Sequence, residues 1–90
     1  MSYTIIIGSN ARKEIRRLSA DIIVRVNEKL KEFSETFDIQ TPVPLGGNLK
    51  GLFKLRVGDY RIVYKYDRSK RLVIVVSVKH RSVVYRVLRP

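Results

Sequence analysis

The sequence contains no cysteine, which rules out disulfides and thiolate metal sites outright. It has one histidine, too few to build a transition-metal cage, and its eight acidic residues are scattered. Neither a metal nor an organic cofactor is expected. No apolar run approaches the roughly 18 residues that a membrane-crossing helix needs. The longest, Leu72 to Val76, has the length of a buried strand. The N-terminal residues lack the basic, apolar, small-residue order of a signal peptide. A cytoplasmic protein without membrane contact is therefore expected. With 3 prolines and 5 glycines in 90 residues, and 44% hydrophobic side chains, nothing suggests disorder. One domain, spanning residues 1–90, is expected.

Charge is what the sequence has in excess. Its 19 Lys+Arg against 8 Asp+Glu leave a net +11. Residues 1–49 carry 7 basic and 6 acidic side chains, whereas residues 50–90 carry 12 basic and only Asp59 and Asp67. A field that one-sided suits a polyanion, and RNA is the expected partner.

Periodicity orders the chain. Met1 to Ile7 reads as a strand, closed by Gly8, Ser9 and Asn10, with Ser9 or Asn10 available to cap a helix. Ala11, Ile15 and Leu18 recur at helical spacing. After a short corner at Ser19 to Asp21, Ile23, Val26, Leu30, Phe33 and Phe37 form the stripe of a longer helix. The two helices make an αα-hairpin. Asp38 to Gly51, with Pro42, Pro44 and three glycines, reads as a loop. Gly46-Gly47 lacks the spacing of a phosphate-binding loop. Three strands follow, Leu52 to Val57, Tyr60 to Tyr66 and Leu72 to Lys79, joined at Gly58-Asp59 and Asp67 to Arg71. His80 to Pro90 fits either a short helix or an extended tail. The order βααβββ predicts an α+β domain, an N-terminal strand, an αα-hairpin and a three-stranded antiparallel meander, with the helices on one sheet face.

Strand alternation sorts the side chains of the meander. It sets Phe53, Leu55 and Val57 against Leu52, Lys54 and Arg56, and Ile62, Tyr64 and Tyr66 against Arg61, Val63 and Lys65. In the last strand it sets Leu72, Ile74, Val76 and Val78 against Val73, Val75, Ser77 and Lys79. Lys54, Arg56, Arg61, Lys65 and Lys79 can thus converge on one open face. A lysine crowded by cations can give up its proton and take one from a ribose 2′-hydroxyl. Neighbouring guanidiniums can stabilise a pentacovalent phosphorane. Arginine is a poor proton donor to a leaving group, and His80 is the better acid if it lies in reach. An exposed tyrosine among Tyr60, Tyr64, Tyr66 and Tyr85 can stack on a base, although core packing is the simpler role for each.

The run Leu49-Lys50-Gly51, then Phe53-Lys54-Leu55-Arg56-Val57-Gly58-Asp59-Tyr60-Arg61-Ile62-Val63-Tyr64, with His80-Arg81 and Tyr85-Arg86 later, resembles the RelE/ParE superfamily of bacterial and archaeal toxins. The resemblance covers the whole chain. It implies a toxin paired with an acidic, RelB-like antitoxin, a monomer when free and a hetero-oligomer with that partner. The RelE branch implies a messenger-RNA endonuclease acting in the ribosomal decoding site without metal. In that branch Lys54 corresponds to the general base and Arg61 to the arginine that orients the scissile phosphate. Arg81 and Tyr85 correspond to residues for leaving-group stabilisation and base stacking, with His80 beside them. Lys50, Arg56, Lys65, Lys79 and Arg86 are then RNA-binding. Leu52 departs from the pattern, standing where studied relatives carry a second lysine. The ParE branch implies a DNA gyrase inhibitor that is not an enzyme, and a catalytically weak RNA-binding relative is the third alternative.

Overall fold

A computed structural model describes residues 2–47 and 49–87, with the side chains of 85–87 outside the description. The first strand, β1 (Thr4–Ile7), is a β-branched run suited to a pleated surface. Its entry is pinned to a helix, because the Tyr3 amide donates to the Ser34 carbonyl (2.9 Å) and Ser34 Oγ donates to the Tyr3 carbonyl (2.6 Å).

Helix α1 spans Ser9–Arg16 and α2 spans Ala20–Thr36. Gly8, not Ser9 or Asn10, takes the position before α1, and no side chain caps it. Asn10 instead reaches the Val76 carbonyl. Ser19 precedes α2, with Asp21 in its first turn, where a carboxylate suits the helix dipole. Val26, Leu30 and Phe33 bury the expected stripe, and Phe37 continues it into a 3₁₀ turn, Phe37–Ile39.

The expected loop holds more structure than its prolines suggest. Within it, β2 (Val43–Pro44) pairs antiparallel with β3 (Phe53–Val57), Val43 opposite Lys54. As an edge strand it tolerates a proline that cannot donate to the ladder. Strands β4 (Tyr60–Asp67) and β5 (Leu72–His80) complete the meander. The five-stranded sheet runs β1-β5-β4-β3-β2, with β1 parallel to β5 and every other neighbour antiparallel. The chain then enters α3 (Arg81–Val87), which resolves the ambiguous C-terminal segment as a helix through residue 87.

One face of the sheet carries α1 and α2 over Val57, Ile62, Val75 and Val78. Beside that core, Tyr3, Phe33, Phe37, Tyr64 and Val73 form an aromatic cluster. Strict alternation fails in β5. Val63 pairs with Ser77 but Tyr64 pairs with Val75, so Val76 is an extra residue. This bulge inverts the parity of everything beyond it. Val73 and Val75 therefore share the helix face with Val78, while Val76 packs with Val63 on the opposite side.

That opposite face is not fully open either. Leu45 and Leu49 from the loop, Leu52, and Val84 from α3 close over Val63 and Val76. A small second core thus occupies its middle, and the basic side chains are left around it. Among the described residues, no helix is long and apolar enough to cross a membrane.

Candidate functional site

The two-residue hairpin between β3 and β4 sets the site's frame. Val57 pairs with Tyr60, leaving Gly58 and Asp59 as the turn. Gly58 has φ +56°, a region L side chains avoid, and a Cβ there would stand 2.8 Å from Arg25 Nη2. The short turn fixes register, placing Lys54 opposite Val63 and Arg56 opposite Arg61. All four point to the face away from α1 and α2. Lys54 and Arg61 are diagonal neighbours, with backbones about 7–8 Å apart in such a ladder.

Lys54, Arg56 and Arg61 line one cleft of about 300 Å³, with Val43 of β2 as its fourth wall. The Arg61 guanidinium folds back on the hairpin, Nη1 donating to the Gly58 carbonyl (3.1 Å) and the Tyr60 carbonyl (3.0 Å). The turn thereby holds the charge in place, and its remaining N–H groups can serve an anion. A cleft lined by three cations and no carboxylate suits a phosphate. Lys65 is exposed on the same face of β4, beyond Val63 and opposite Ile74, and Lys50 is exposed in the loop.

Lys79 lies opposite Arg61, on the site's side of the sheet, yet its ammonium is engaged elsewhere. It forms an ion pair with Glu14 of α1. Glu14 also accepts from Ser77 Oγ (2.9 Å) and the Val78 amide (2.9 Å). β1 pairs with β5 only as far as Val75, and beyond it the Glu14 carboxylate takes over the exposed edge. Lys79 is thus held by a carboxylate and is not part of a bare basic surface.

Burial pushes the Glu14 carboxyl up, but the hydrogen bonds from Lys79, Val78 and Ser77 outweigh it and hold the group below its ordinary 4.5. A depressed carboxylate contributes stability that is present above its unfolded value and lost as pH falls through the folded one. Acid unfolding should therefore steepen below about pH 4.5. Glu14→Gln is expected to cost about 1–3 kcal/mol at neutral pH and to flatten that acid limb. Urea titrations at several pH values check both, and an unchanged limb would deny Glu14 this role.

His80 and Arg81 sit at the β5–α3 junction. His80 pairs with Tyr60, and their rings meet edge to face at 5.4 Å. By strand parity Tyr60 is opposite in facing to Arg61, so His80 starts on the far side of the sheet from Lys54. Its Nδ1 accepts from the Ser82 amide (3.2 Å) and lies 2.8 Å from Ser82 Oγ, which places the histidine as a cap for α3. The Arg81 amide donates to the Asp59 carbonyl (2.7 Å), and its exposed Nε lies 4.0 Å from Asp59 Oδ1. Arg81 is thereby tied to the same hairpin that holds Arg61. Tyr85 and Arg86 fall on α3, but their side chains lie outside the described residues.

Other cations of the C-terminal half serve the opposite end of the sheet. Arg71 donates to Asp38 (2.8 Å) and lies 4.6 Å over the Tyr3 ring, while Arg68 stands 5.1 Å over Phe37. Of the described cations of the C-terminal half, Lys54, Arg56 and Arg61 line the cleft, while Arg68, Arg71 and Lys79 are held in structural pairs. Leu52 is explained by the same packing, since it belongs to the apolar cover over Val63. The roles of Val43 and Glu14 were missed from the sequence. Glu14 is the lone acid of α1, which is the signal that could have drawn attention to it. Among the described residues, no three His, Asp or Glu side chains come together in a way that could hold a metal ion.

Residues 5–85 match the model of a family described as the ParE toxin of type II toxin–antitoxin systems, parDE. Toxin RelG of Mycobacterium tuberculosis is 30% identical over 86 residues, 96% of this chain and 99% of that protein. Among solved structures, the toxin–antitoxin complex RelBE2 from Mycobacterium tuberculosis superposes with a TM-score of 0.80 at 29% identity, covering 91% of this chain and 94% of that one. A mutant of Escherichia coli toxin RelE in the free state gives a TM-score of 0.73 at 31% identity, over 96% and 93%.

Proposed function

The chain belongs to the RelE/ParE superfamily of toxins from type II toxin–antitoxin systems, and from that premise we propose that its basic cleft cuts messenger RNA in the ribosomal decoding site. What carries the reading is the shared cleft of Lys54, Arg56 and Arg61 on adjacent strands. Lys54 acts as general base on a ribose 2′-hydroxyl, whose oxygen attacks the neighbouring phosphorus. The bond from phosphorus to the 5′-oxygen breaks, leaving a 2′,3′-cyclic phosphate and a 5′-oxygen that takes a proton from water to become a hydroxyl. Arg61 and Arg56 balance the extra negative charge of the phosphorane, in the manner of a preorganised oxyanion site. Arg81, tethered to the hairpin through Asp59, stabilises the leaving oxygen, and Tyr85 stacks on a base. His80 serves as the junction's cap first, and as an acid only after its ring leaves Ser82. Lys50, Lys65 and Arg86 steer the strand.

An acidic antitoxin is the second partner. A cationic cleft of this kind binds nucleic acid indiscriminately, with strong salt dependence, unless it is covered. A similar toxin has been solved in complex with its antitoxin, which supports a protein cover here as well.

The test is to add purified protein to ribosomes translating a defined message and to map the new RNA ends. Cuts confined to the decoding site are expected, and intact message would overturn the reading. A gyrase-inhibiting function has one observation in its favour, the ParE description of the matching family model. Inhibition of DNA supercoiling by the same preparation, with messenger RNA left whole, would establish it instead.

A further inference from the structure

The N-terminal half is close to neutral overall, yet α1 is not. It carries Arg12, Lys13 and Arg16, Arg17 ends it, and Glu14 is its only acid. That acid is turned into the molecule, onto Ser77, Val78 and Lys79. The four cations are all exposed, and none forms an ion pair with a described residue. Glu14 therefore spends its charge on β5 and leaves the outer surface of α1 uncompensated. At about 100° and 1.5 Å per residue, the four side chains fall within an arc of roughly 140°. Arg12 stacks over Arg16 and Lys13 over Arg17, each pair about 6 Å apart along the axis.

Three partners could meet such a patch. A protein interface centres on aromatic or arginine anchors desolvated among apolar neighbours, whereas the arginines of α1 are exposed and the exposed large hydrophobics Ile6, Val24, Ile39 and Val43 are all off α1. A single strand is held by aromatic stacking as well as charge, and no aromatic residue lies in α1. Cations without anchors suit dense phosphate alone, and a nucleic-acid duplex carries about one charge per 1.7 Å of axis. The cleft is elsewhere. α1 packs at β5, while Lys54 is on β3, two strands away at about 4.8 Å per step. A strand in the cleft and a duplex on α1 would be different segments of RNA.

We infer that α1 is a docking surface for the phosphate backbone of double-stranded RNA, separate from the cleft that takes the strand to be cut. The inference does not depend on cleavage. The test measures binding to a blunt RNA hairpin and to an unstructured RNA of equal length by fluorescence anisotropy, between about 50 and 200 mM salt. The protein carrying Arg12→Gln, Lys13→Gln, Arg16→Gln and Arg17→Gln is compared with the unaltered chain. On the hairpin, the slope of log affinity against log salt is expected to shrink by about 3 to 4, and on the single strand by less than about 1. An unchanged hairpin slope, or equal losses on both RNAs, would overturn the inference. If the fourfold variant does not fold, Arg12/Arg16 and Lys13/Arg17 are replaced as separate pairs, each expected to give about half the effect. Failure of ribosomal cleavage in the unaltered chain would remove the proposed function and leave this slope to decide the docking surface by itself.

Discussion

Lys54→Ala is expected to slow messenger-RNA cleavage by about 10²–10⁴-fold, the range that loss of a general base costs, while leaving the fold intact. The side chain lines the cleft from β3 and is only half-buried, so truncation removes chemistry and little packing. Arg61→Ala should cost about 10²–10³-fold through lost stabilisation of the phosphorane. It also deletes two hydrogen bonds to the Gly58 and Tyr60 carbonyls, worth about 1 kcal/mol each. Arg61→Lys separates the two effects, because it keeps the charge but not the paired geometry. Lys79→Ala is the contrasting variant. Its ammonium belongs to Glu14, so cleavage should persist while stability falls. Initial rates on translating ribosomes, growth inhibition and urea unfolding of the same four proteins give the comparison. If Lys54→Ala and Arg61→Ala both cut RNA at the unaltered rate and stay toxic, the cleft is not the catalytic centre.

The contrast between Lys54 and Lys79 marks where the sequence could be read and where it could not. Alternation alone put Lys54, Arg56 and Arg61 on one face, because the Gly58-Asp59 turn fixes the register of β3 on β4 over a short distance. Nothing local reported the Val76 bulge, since an extra residue in an all-apolar run leaves no change of pattern. Alternation accordingly places Val73 and Val75 on the wrong side. Lys79 was placed correctly by parity, but its partner Glu14 is 65 positions away, a distance no periodicity spans. The prolines and glycines of residues 38–51 read as a loop. Its leucines do the unexpected part, with Leu45 and Leu49 closing over Val63. His80 illustrates a different limit, because its residue type suggests an acid while its bond to Ser82 makes it a helix cap.

Phe37→Ala is expected to carry the largest stability cost in the molecule, about 3–5 kcal/mol. Phe37 is 0% exposed and sits at the junction of α2 with the 3₁₀ turn. Its ring centroid lies 4.5 Å from Tyr3, 5.1 Å from Phe33 and 5.0 Å from Tyr66. Tyr3 is held by its bond to Asp38 and Phe33 by its place in α2, so neither ring is free to move into the space. A loss of that size is a fifth or more of the roughly 5–15 kcal/mol that keeps a small domain folded. For a chain of this length it corresponds to a melting point lower by about 15–30 °C. Phe37→Leu should cost much less, about 1–1.5 kcal/mol, since most of the buried volume is kept. The cluster lies at the Asp67 end of β4, whereas the cleft lies at its Tyr60 end, so the two properties should separate. At low temperature the folded fraction of Phe37→Ala should cut RNA at the unaltered rate, and on warming its activity should fall in step with its circular dichroism. A loss below about 1 kcal/mol would mean that the aromatic cluster collapses around the hole, contrary to the rigidity its packing implies. Normal stability with absent cleavage would instead link this end of the sheet to the cleft through β4.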